Sequence, residues 1–368
     1  MKDVLKGMIL GVILGSLVGY SLNILTNPNV PNNELIKLRE DYDKLSESYD
    51  ALMGEYQKTL GKVPLTPESL STEIIEKEYT WFYKDNQWTI SLAIPESIYD
   101  FYKTSERPPG EDYSPYVTHP YDDNYIKSIV EKINVISIQS SLTELEKVNL
   151  VICFVQSLPY TYDDVSTPFD DYPRYPLETL VDGGGDCEDT SILTAAILRE
   201  MEYNVVLLLY PSHMACAVNI ESVFGSYYLI DEEKYYYLET TGEGWELGEI
   251  PDEFHGVSAQ YCEMIPTPII THHWNASWDN GVLIMSVLVE NVGSALAENY
   301  YVWVGFDAGN YKVWNPVESD LFSLNFGREV NIDLTLIPPN DEHTRLMVRV
   351  INDEGYYVCD SYSEWFDT

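Results

Sequence analysis

The chain has few basic residues and few cysteines, and both shortages exclude classes of function. Lys and Arg together number 21 among 368 residues, against 60 Asp and Glu, which gives a formal charge of −39 at pH 7. A chain this acidic repels phosphate backbones, so we expect no nucleic-acid partner. Hydrophobic residues still make up 45% of the sequence. The acidity therefore belongs to a protein with packed cores and not to a disordered one.

Metal and nucleotide signatures are also missing. The five cysteines form no CxxC pair and no zinc-knuckle spacing, which argues against zinc. No phosphate-binding or dinucleotide loop is present. The pair His272-His273 stands beside Trp274 without further ligands, and we interpret it as the start of a strand between two domains. The acidic run from Asp163 to Asp171 can attract calcium but lacks EF-hand spacing, so solvated charge is favoured and no cofactor is expected.

The first 27 residues are predicted to form a membrane anchor. Residues 4–26 are apolar enough, over a sufficient length, to enter a bilayer. No small-residue cleavage site precedes Asn27, which favours an uncleaved anchor over a removed signal peptide. Lys2 and Lys6 flank its N-terminal side and favour an inside N-terminus. We therefore expect the bulk of the chain to be extracellular, although Lys37 and Arg39 weaken this orientation.

Two periodic patterns at the N-terminus predict a homodimer. Within the anchor, glycine recurs at every fourth position (Gly7, Gly11, Gly15 and Gly19), a spacing that lets two membrane helices pack closely. Residues 33–60 then alternate Leu and Tyr at spacings of three and four, typical of a coiled-coil stalk (Leu35, Leu38, Tyr42, Leu45, Tyr49, Leu52 and Tyr56). The alternative for this segment is a single amphipathic helix that lies on the next domain.

The strongest chemical signal is the run Gly183-Gly184-Gly185-Asp186-Cys187, which places a cysteine where a glycine turn becomes a helix. Unpaired N–H groups at a helix N-terminus favour the thiolate over the thiol. His213 follows in an apolar strand and Glu239 in another. A cysteine, a histidine and an acid in this order are the parts of a thiol acyl-transfer site.

The surrounding pattern predicts an α+β domain, because helices come first and antiparallel strands follow. A hairpin is expected over residues 79–94, with its turn at 84–86. Helices are expected near 123–132 and 142–157, the second behind Ser140 and Ser141 as capping residues. The Cys187 helix comes next, and strands are expected over 204–210, 213–220, 227–231 and 235–240.

Residues 73–268 resemble the transglutaminase-like superfamily of papain-type thiol enzymes. The resemblance rests on Gly185-Asp186-Cys187 opening a helix, on His213 entering a strand and on Leu238-Glu239-Thr240-Thr241. The segments Tyr172-Pro173-Arg174-Tyr175-Pro176 and Gly244-Trp245-Glu246-Leu247-Gly248 are most similar to exported archaeal and bacterial members.

The resemblance implies a role for each member of the set. Cys187 is expected to be the nucleophile, His213 the base and acid, and Glu239 the residue that orients the imidazole, where the family more often has Asp. The backbone N–H of Cys187 is a natural oxyanion donor. Gln156 is a candidate for a second donor, as a glutamine serves in papain-like enzymes, and the alternative is an ordinary polar residue at a helix end.

Residues 269–368 are predicted to form a β-sandwich. Strands are expected over 281–289, 300–306, 330–336, 346–351 and 356–360, a spacing typical of such folds. The runs 289–295 and 301–304 resemble the adhesion-type immunoglobulin-like modules of prokaryotic surface proteins. No catalytic set is visible in this region.

These observations together predict a membrane-anchored extracellular thiol hydrolase or acyltransferase. Its substrates are expected to be amide bonds in peptide or cell-envelope material, and its triad is Cys187, His213 and Glu239. Hydrolysis is favoured over cross-linking because water is the default acceptor. The alternative is a catalytically inactive transglutaminase-like module that binds or scaffolds at the cell surface.

Overall fold

The computed structural model describes residues 73–221 and 224–368. The predicted anchor (1–27) and coiled-coil stalk (33–60) lie outside the described residues. Among the helices in the described ranges, none combines the length and the apolar character needed to span a membrane. The described residues belong to one compact unit, in which separate hydrophobic cores form before and after Pro268.

The first part begins with the predicted hairpin, and helices follow it. Strand β1 (Ile74–Tyr83) pairs with β2 (Asn86–Pro95), and the turn residues Lys84 and Asp85 have positive φ angles of 49° and 60°. The helices are α1 (Glu96–Thr104), α2 (Ser114–Thr118), α3 (Asp123–Ser140), α4 (Glu144–Gln156), α5 (Asp163–Ser166), α6 (Pro176–Asp182) and α7 (Cys187–Glu200).

The start of α4 corrects one expectation. Its cap is Thr143, whose hydroxyl accepts from the backbone N–H of Glu146 while the Glu146 carboxylate accepts from the backbone N–H of Thr143. Ser141 instead ends α3 in a left-handed conformation. The expected cap was wrong because Ser141 is already used to end α3, where its backbone N–H donates to the carbonyl of Ile138, so α4 begins two residues later at a Thr-x-x-Glu capping box that satisfies two backbone donors.

An antiparallel sheet follows the helices and confirms the strand predictions. Its order is β5 (Tyr227–Ile230), β6 (Glu233–Leu238), β4 (His213–Asn219), β3 (Val205–Tyr210) and β7 (Gln260–Glu263), of which β7 was not expected. Helix α7 packs on β3 and β4 and also contacts α2, α3, α4 and α6. The other face of the sheet is covered by Ile250, Phe254 and Ala259. The Cys187 helix is therefore the centre of the first core.

The last part is a β-sandwich whose two sheets share one core. One sheet has the order β13 (Arg328–Leu336), β9 (Val282–Asn291) and β8 (Ile270–Asp279). The other has β11 (Val313–Glu318), β10 (Ala297–Asp307), β15 (Leu346–Ile351) and β16 (Tyr357–Tyr362), with β12 (Phe322–Leu324) beside β10. Strands β14 (His343–Thr344) and β17 (Phe366–Asp367) form a small ladder. This strand order is an immunoglobulin-like arrangement, and all five strands expected here are confirmed.

His119 lies in an aromatic cluster at the junction of the two cores. Its Nδ1 is 2.9 Å from the Tyr102 hydroxyl, and its ring contacts those of Tyr175, Tyr121 and Phe326. Burial lowers the pKa of His119 from 6.5 to about 3. The imidazole is therefore neutral in the folded protein over the physiological range.

This histidine predicts a loss of stability in mild acid. Below pH 6.5 the unfolded chain protonates His119 whereas the folded protein does not, so the free energy of unfolding falls by at most about 1.4 kcal/mol per pH unit from this residue. We expect His119→Asn, whose amide oxygen can accept from Tyr102, to show a shallower decline between pH 6.5 and 4. Denaturant unfolding at a series of pH values checks this, and parallel curves for the two proteins would show that His119 contributes nothing.

Candidate active site

A tight capping arrangement places Cys187 at the first position of α7. The Asp186 carboxylate accepts from the backbone N–H of Glu188 at 3.2 Å, and the Asp189 carboxylate accepts from the backbone N–H of Asp186 at 3.2 Å. A Cβ at Gly185 would lie 2.2 Å from the Asp189 carboxylate. A glycine is therefore required for the chain to enter the helix so close to Asp189.

A buried arginine anchors this capping arrangement. Arg174 is 1% exposed, and its guanidinium pairs with the carboxylates of Asp189, Asp163 (2.8 Å) and Asp182 (3.1 Å). The backbone N–H of Arg174 also donates to Asp189 at 2.7 Å. Burial raises the pKa of Asp189 to about 6 and Arg174 opposes the rise, so Asp189 is ionised at neutral pH. The start of α7 is thus held by a salt bridge from a distant loop.

His213 and Glu239 form a direct hydrogen bond. His213 is the first residue of β4, and its Nε2 lies 3.1 Å from Oε2 of Glu239, which follows the last residue of β6. The same oxygen accepts from the Tyr237 hydroxyl at 2.7 Å. The other oxygen accepts from the backbone N–H groups of Thr240 and Thr241 and from the Thr241 hydroxyl at 2.7–3.0 Å.

These contacts fix the charge of the acid and the tautomer of the imidazole. Burial by itself raises the pKa of Glu239, but hydrogen bonds from His213, Thr241 and Tyr237 outweigh it and hold the pKa below its usual value. The ionised carboxylate accepts the proton on His213 Nε2, which leaves Nδ1 as the acceptor nitrogen. Glu239 thus reaches the imidazole directly despite its extra methylene, and its orienting role in catalysis stays a prediction.

Hydroxyl groups tie the helix of Cys187 to the segments that carry His213 and Glu239. The Thr240 hydroxyl lies 3.0 Å from the hydroxyls of both Thr190 and Ser191. The Ser191 hydroxyl also donates to the carbonyl of Met214 at 3.1 Å. The helix that begins at Cys187 is therefore tied to the neighbour of His213 and to the neighbour of Glu239.

The surroundings of the thiol correct the expected ionisation of Cys187. The Sγ atom lies 2.9 Å from a Glu188 carboxylate oxygen. Burial first, and then the charge of Glu188, raise the pKa of Cys187, while a hydrogen bond from the backbone N–H of Met214 lowers it. The net effect is a rise, so the resting thiol is protonated. Desolvation and the adjacent carboxylate therefore oppose the ionisation that the helix N-terminus was expected to favour.

Gln156 is placed at the loop that carries the acid. Its Nε2 group donates to the carbonyls of Glu239 (2.9 Å) and Trp245 (3.3 Å), and its carbonyl accepts from the backbone N–H of Gly244 (3.1 Å). Both N–H bonds of the amide are therefore used within the protein. These hydrogen bonds favour a positioning role for Gln156, and the oxyanion role stays a prediction.

Two grooves meet at His213. The first has a volume of about 530 Å³ and is lined by Glu111, Tyr113, Glu188 and Tyr210, among other residues. The second has a volume of about 480 Å³ and runs past Glu239, Trp245 and Phe254. The Phe254 ring stacks on the imidazole, with ring centres 4.7 Å apart and an angle of 9°. The two grooves therefore adjoin at His213, one face of whose ring is covered by Phe254.

The structure also identifies the residues with a geometry suited to a cation. Ligand atoms of Asp186, Cys187 and Glu188 lie within 4.8 Å of one another. In the acidic loop where calcium was considered, Asp163 is buried and paired with Arg174, so this carboxylate is neither solvated nor free for a metal. The expectation of no cofactor stays a prediction. All five cysteines are free thiols.

Sequence analysis did not identify several residues that contact the candidate site or hold its segments in place. Glu188 directly follows the cysteine, but its side-chain direction could not be read from that position. Arg174 lies in the quoted Tyr-Pro-Arg-Tyr-Pro run, yet its partners are separated from it in sequence. Tyr237 has a detectable signal, since it lies two residues before Glu239 within the strand expected over 235–240, and alternate residues of a strand share a side of the sheet.

The Arg174 salt bridges predict a large loss of stability on removal of the cation. Arg174→Met leaves Asp163 and Asp189 buried without their partner, and we expect the free energy of unfolding to fall by about 3–5 kcal/mol. The control is Lys84→Met, which removes an exposed pair with Glu146 and should cost at most about 1 kcal/mol. Urea denaturation measures both, and similar losses in the two variants would refute the anchoring role.

The contact between Cys187 and Glu188 predicts that the carboxylate suppresses thiol reactivity. In Glu188→Gln the negative charge is lost, the pKa of Cys187 falls, and iodoacetamide should alkylate the thiol about tenfold faster at pH 7.5 for each unit of that fall. Glu111→Gln removes another carboxylate of the same groove and serves as the control. An unchanged alkylation rate in Glu188→Gln would mean that this contact does not govern the thiol.

Comparisons with known proteins identify the first domain. A family model described as a transglutaminase-like domain matches residues 124–245, which run from α3 to the loop after Glu239. A comparison with curated proteins found no significant match.

Solved structures show weaker similarities. The CARDB domain of a Pyrococcus furiosus protein, in complex with di-metal ions, is 17% identical over 28% of this chain and 94% of its own, with a TM-score of 0.21. A DUF3823 family protein from Bacteroides ovatus is 12% identical over 45% and 88%, with a TM-score of 0.22. β-Glucosidase 3B from Thermotoga neapolitana, in complex with glucose, is 16% identical over 28% and 17%, with a TM-score of 0.18. TM-scores this low carry no argument about this chain.

The family match thus covers Cys187, His213 and Glu239, the residues whose frame the hydrogen bonds define. Residues 124–245 form a transglutaminase-like domain.

Proposed function

We propose that the protein is a thiol hydrolase or acyltransferase that acts on amide bonds of peptide or cell-envelope material. The observation that carries the proposal is the His213–Glu239 hydrogen bond of 3.1 Å, together with the packing of β4, which begins at His213, on the helix that begins at Cys187. The transglutaminase-like match over the same residues supports it. Water is the simplest acceptor, so hydrolysis is favoured over transfer to an amine.

The geometry supports a two-step reaction. Nδ1 of His213 accepts the thiol proton of Cys187, and the sulfur attacks the substrate carbonyl carbon. The carbon–nitrogen bond then breaks as the imidazolium returns the proton to the leaving amine, which leaves a thioester on Cys187. Water, deprotonated by His213, attacks this thioester and releases the acid and the free thiol. Glu239 stabilises the imidazolium in both steps.

The protonated resting thiol is compatible with this sequence of steps. The thiolate of Cys187 and the imidazolium of His213 would then form only when substrate is bound. The proton would move from the sulfur to the imidazole as the attack begins. Backbone N–H groups at the start of α7 can then stabilise the oxyanion. The Cys187 N–H is the donor we propose for this purpose.

The proposal includes a place in the cell. A single-pass anchor at residues 1–27 with an inside N-terminus would hold the domain at the outer face of the membrane. A stalk at residues 33–60 would pair two chains. These elements rest on the sequence patterns alone, and an exported archaeal or bacterial protein is the setting they favour.

A second candidate function is a binding or scaffolding module without catalysis. The contact between Cys187 and Glu188 favours it, because a carboxylate at 2.9 Å opposes formation of the thiolate. In that case the site binds peptide or envelope material, and Cys187 contributes to packing only.

p-Nitrophenyl acetate distinguishes the two functions without knowledge of the natural substrate. The enzyme should release p-nitrophenolate in a burst, carry an acetyl thioester on Cys187 detectable by mass spectrometry, and then turn over by hydrolysis. We expect no burst from Cys187→Ala, and a rate at least about a hundredfold lower in His213→Ala.

The other free thiols provide internal controls. Cys153 and Cys262 are half-buried and lie outside the site, so their acetylation reports ordinary thiol reactivity. Cys216→Ala removes a buried cysteine and should leave the burst intact. If Cys187 is acetylated no faster than Cys262, or if His213→Ala has no effect, the protein is the binding module.

A further inference from the structure

One segment of the chain contacts both the β-sandwich and the candidate active site. It comprises residues 105–121, which we call the strap; it follows α1 and includes α2. Helix α2 packs directly on α7, the helix of Cys187. The two ends of the strap contact the sandwich, while its middle lines the first groove.

Polar contacts join the sandwich to both ends of the strap. At one end, the Glu106 carboxylate lies 3.2 Å from the Thr271 hydroxyl and 3.1 Å from Nε2 of His273, both on β8. At the other end, the Thr118 hydroxyl lies 2.6 Å from the Ser294 hydroxyl, and both groups are buried. Loss of this hydrogen bond within the packed interface would leave two buried hydroxyls without partners, which costs free energy.

Aromatic packing reinforces the second end. The Phe326 ring of the sandwich lies 5.4 Å from that of Tyr121 and 5.7 Å from that of His119. The next residue, Gly327, approaches Phe101 so closely that a Cβ would lie 2.8 Å from its ring. The sandwich is therefore packed against the strap and α1 and is not a loosely tethered module.

The middle of the strap forms one wall of the catalytic groove. Glu111 and Tyr113 line the groove together with Glu188 and His213. The lining of this groove thus brings residues of the strap together with His213 and with Glu188, the neighbour of Cys187. Its carboxylates at Glu111 and Glu188 favour a substrate chain with positively charged side chains.

We propose that the β-sandwich is part of the substrate-binding apparatus: it holds both ends of the strap and so fixes Glu111 and Tyr113 as a wall of the groove. The inference rests on the proposed function, since it takes this groove as the place where substrate binds. It assigns to the sandwich a role in extended-substrate recognition, separate from the chemistry at the sulfur.

The strap also has anchors inside the first domain, and these define the competing explanation. The Arg107 guanidinium pairs with both oxygens of Glu178 at 2.8 and 2.9 Å. Cys262 on β7 contacts Asp112 at 3.4 Å. If these contacts suffice to hold the wall, weakening the sandwich interface leaves the groove unchanged.

The test compares a long and a short electrophile on the full-length protein. The long probe is a chloroacetyl tripeptide that contains two lysines, and the short probe is chloroacetamide. In both, the Cys187 sulfur forms a bond to the CH₂ carbon and chloride leaves. In Phe326→Ala we expect the concentration for half-maximal inactivation by the peptide to rise about fivefold or more, while the rate with chloroacetamide stays within about twofold.

Two further variants serve as controls. Phe366→Ala makes the same truncation elsewhere in the sandwich, where the Phe366 ring contacts those of Phe306 and Trp278. In this variant both probes should react as in the wild type. Phe326→Leu keeps apolar bulk at the interface and should recover most of the peptide affinity. Circular dichroism confirms that each variant is folded.

Hydrogen exchange over residues 105–121 provides a second readout that needs no reaction. Exchange should accelerate in Phe326→Ala and not in Phe366→Ala. The proposal is overturned if peptide inactivation and strap exchange are both unchanged in Phe326→Ala, or if both probes slow equally. Failure of the proposed function is distinct: chloroacetamide alkylation would then be independent of His213, while strap exchange would still report the interface.

Discussion

The start of α7, where Cys187 lies, depends on one buried cation. Arg174 neutralises Asp189, Asp163 and Asp182, and Asp189 in turn caps the turn that delivers Cys187. Carboxylates gathered in a place with little water would repel one another strongly without it. In a chain with so few basic residues, this arginine sets the position of the helix, and the position of the helix sets where the sulfur lies relative to β4 and β6.

Around the candidate triad, neutral hydroxyl groups join the helix to the sheet, whereas carboxylates affect the ionisation of Cys187 and His213. Thr190, Ser191 and Thr240 join the helix to the sheet with hydrogen bonds that leave the local charge unchanged. Glu239 is ionised and accepts a hydrogen bond from the imidazole of His213. Glu188 instead contacts the sulfur of Cys187 and opposes its ionisation. A carboxylate of this acidic chain thus lies against Cys187, the candidate nucleophile. Catalysis requires the proton to move from Cys187 to His213. Glu239 favours this transfer because it stabilises the imidazolium, and Glu188 opposes it because its charge raises the pKa of the thiol.

The two cores of the structure are distinct, yet their junction is built like an interior. Buried hydroxyls, aromatic rings packed edge to face and a neutral histidine occupy it, and exposing such groups to water costs free energy. Thr118, His119 and Tyr121 of the strap are part of this junction. A sandwich that packs in this way can influence a groove to which it contributes no lining side chain, because the strap transmits its position to Glu111 and Tyr113.

Local sequence patterns determined the secondary structure and the choice of Cys187, His213 and Glu239 as candidate site residues. Glycines before Cys187, alternating apolar residues around His213 and the strand before Glu239 each act within a few residues, so the helix, the strands and the sandwich strands could be predicted. The ionisation of Cys187, the loop-holding role of Gln156, the partners of Arg174 and the docking of the strap could not. Each of these depends on burial and on groups that are distant in sequence or on the direction of a side chain, and the free energy of a charged group is decided by its folded surroundings. Only the tertiary structure supplies those surroundings.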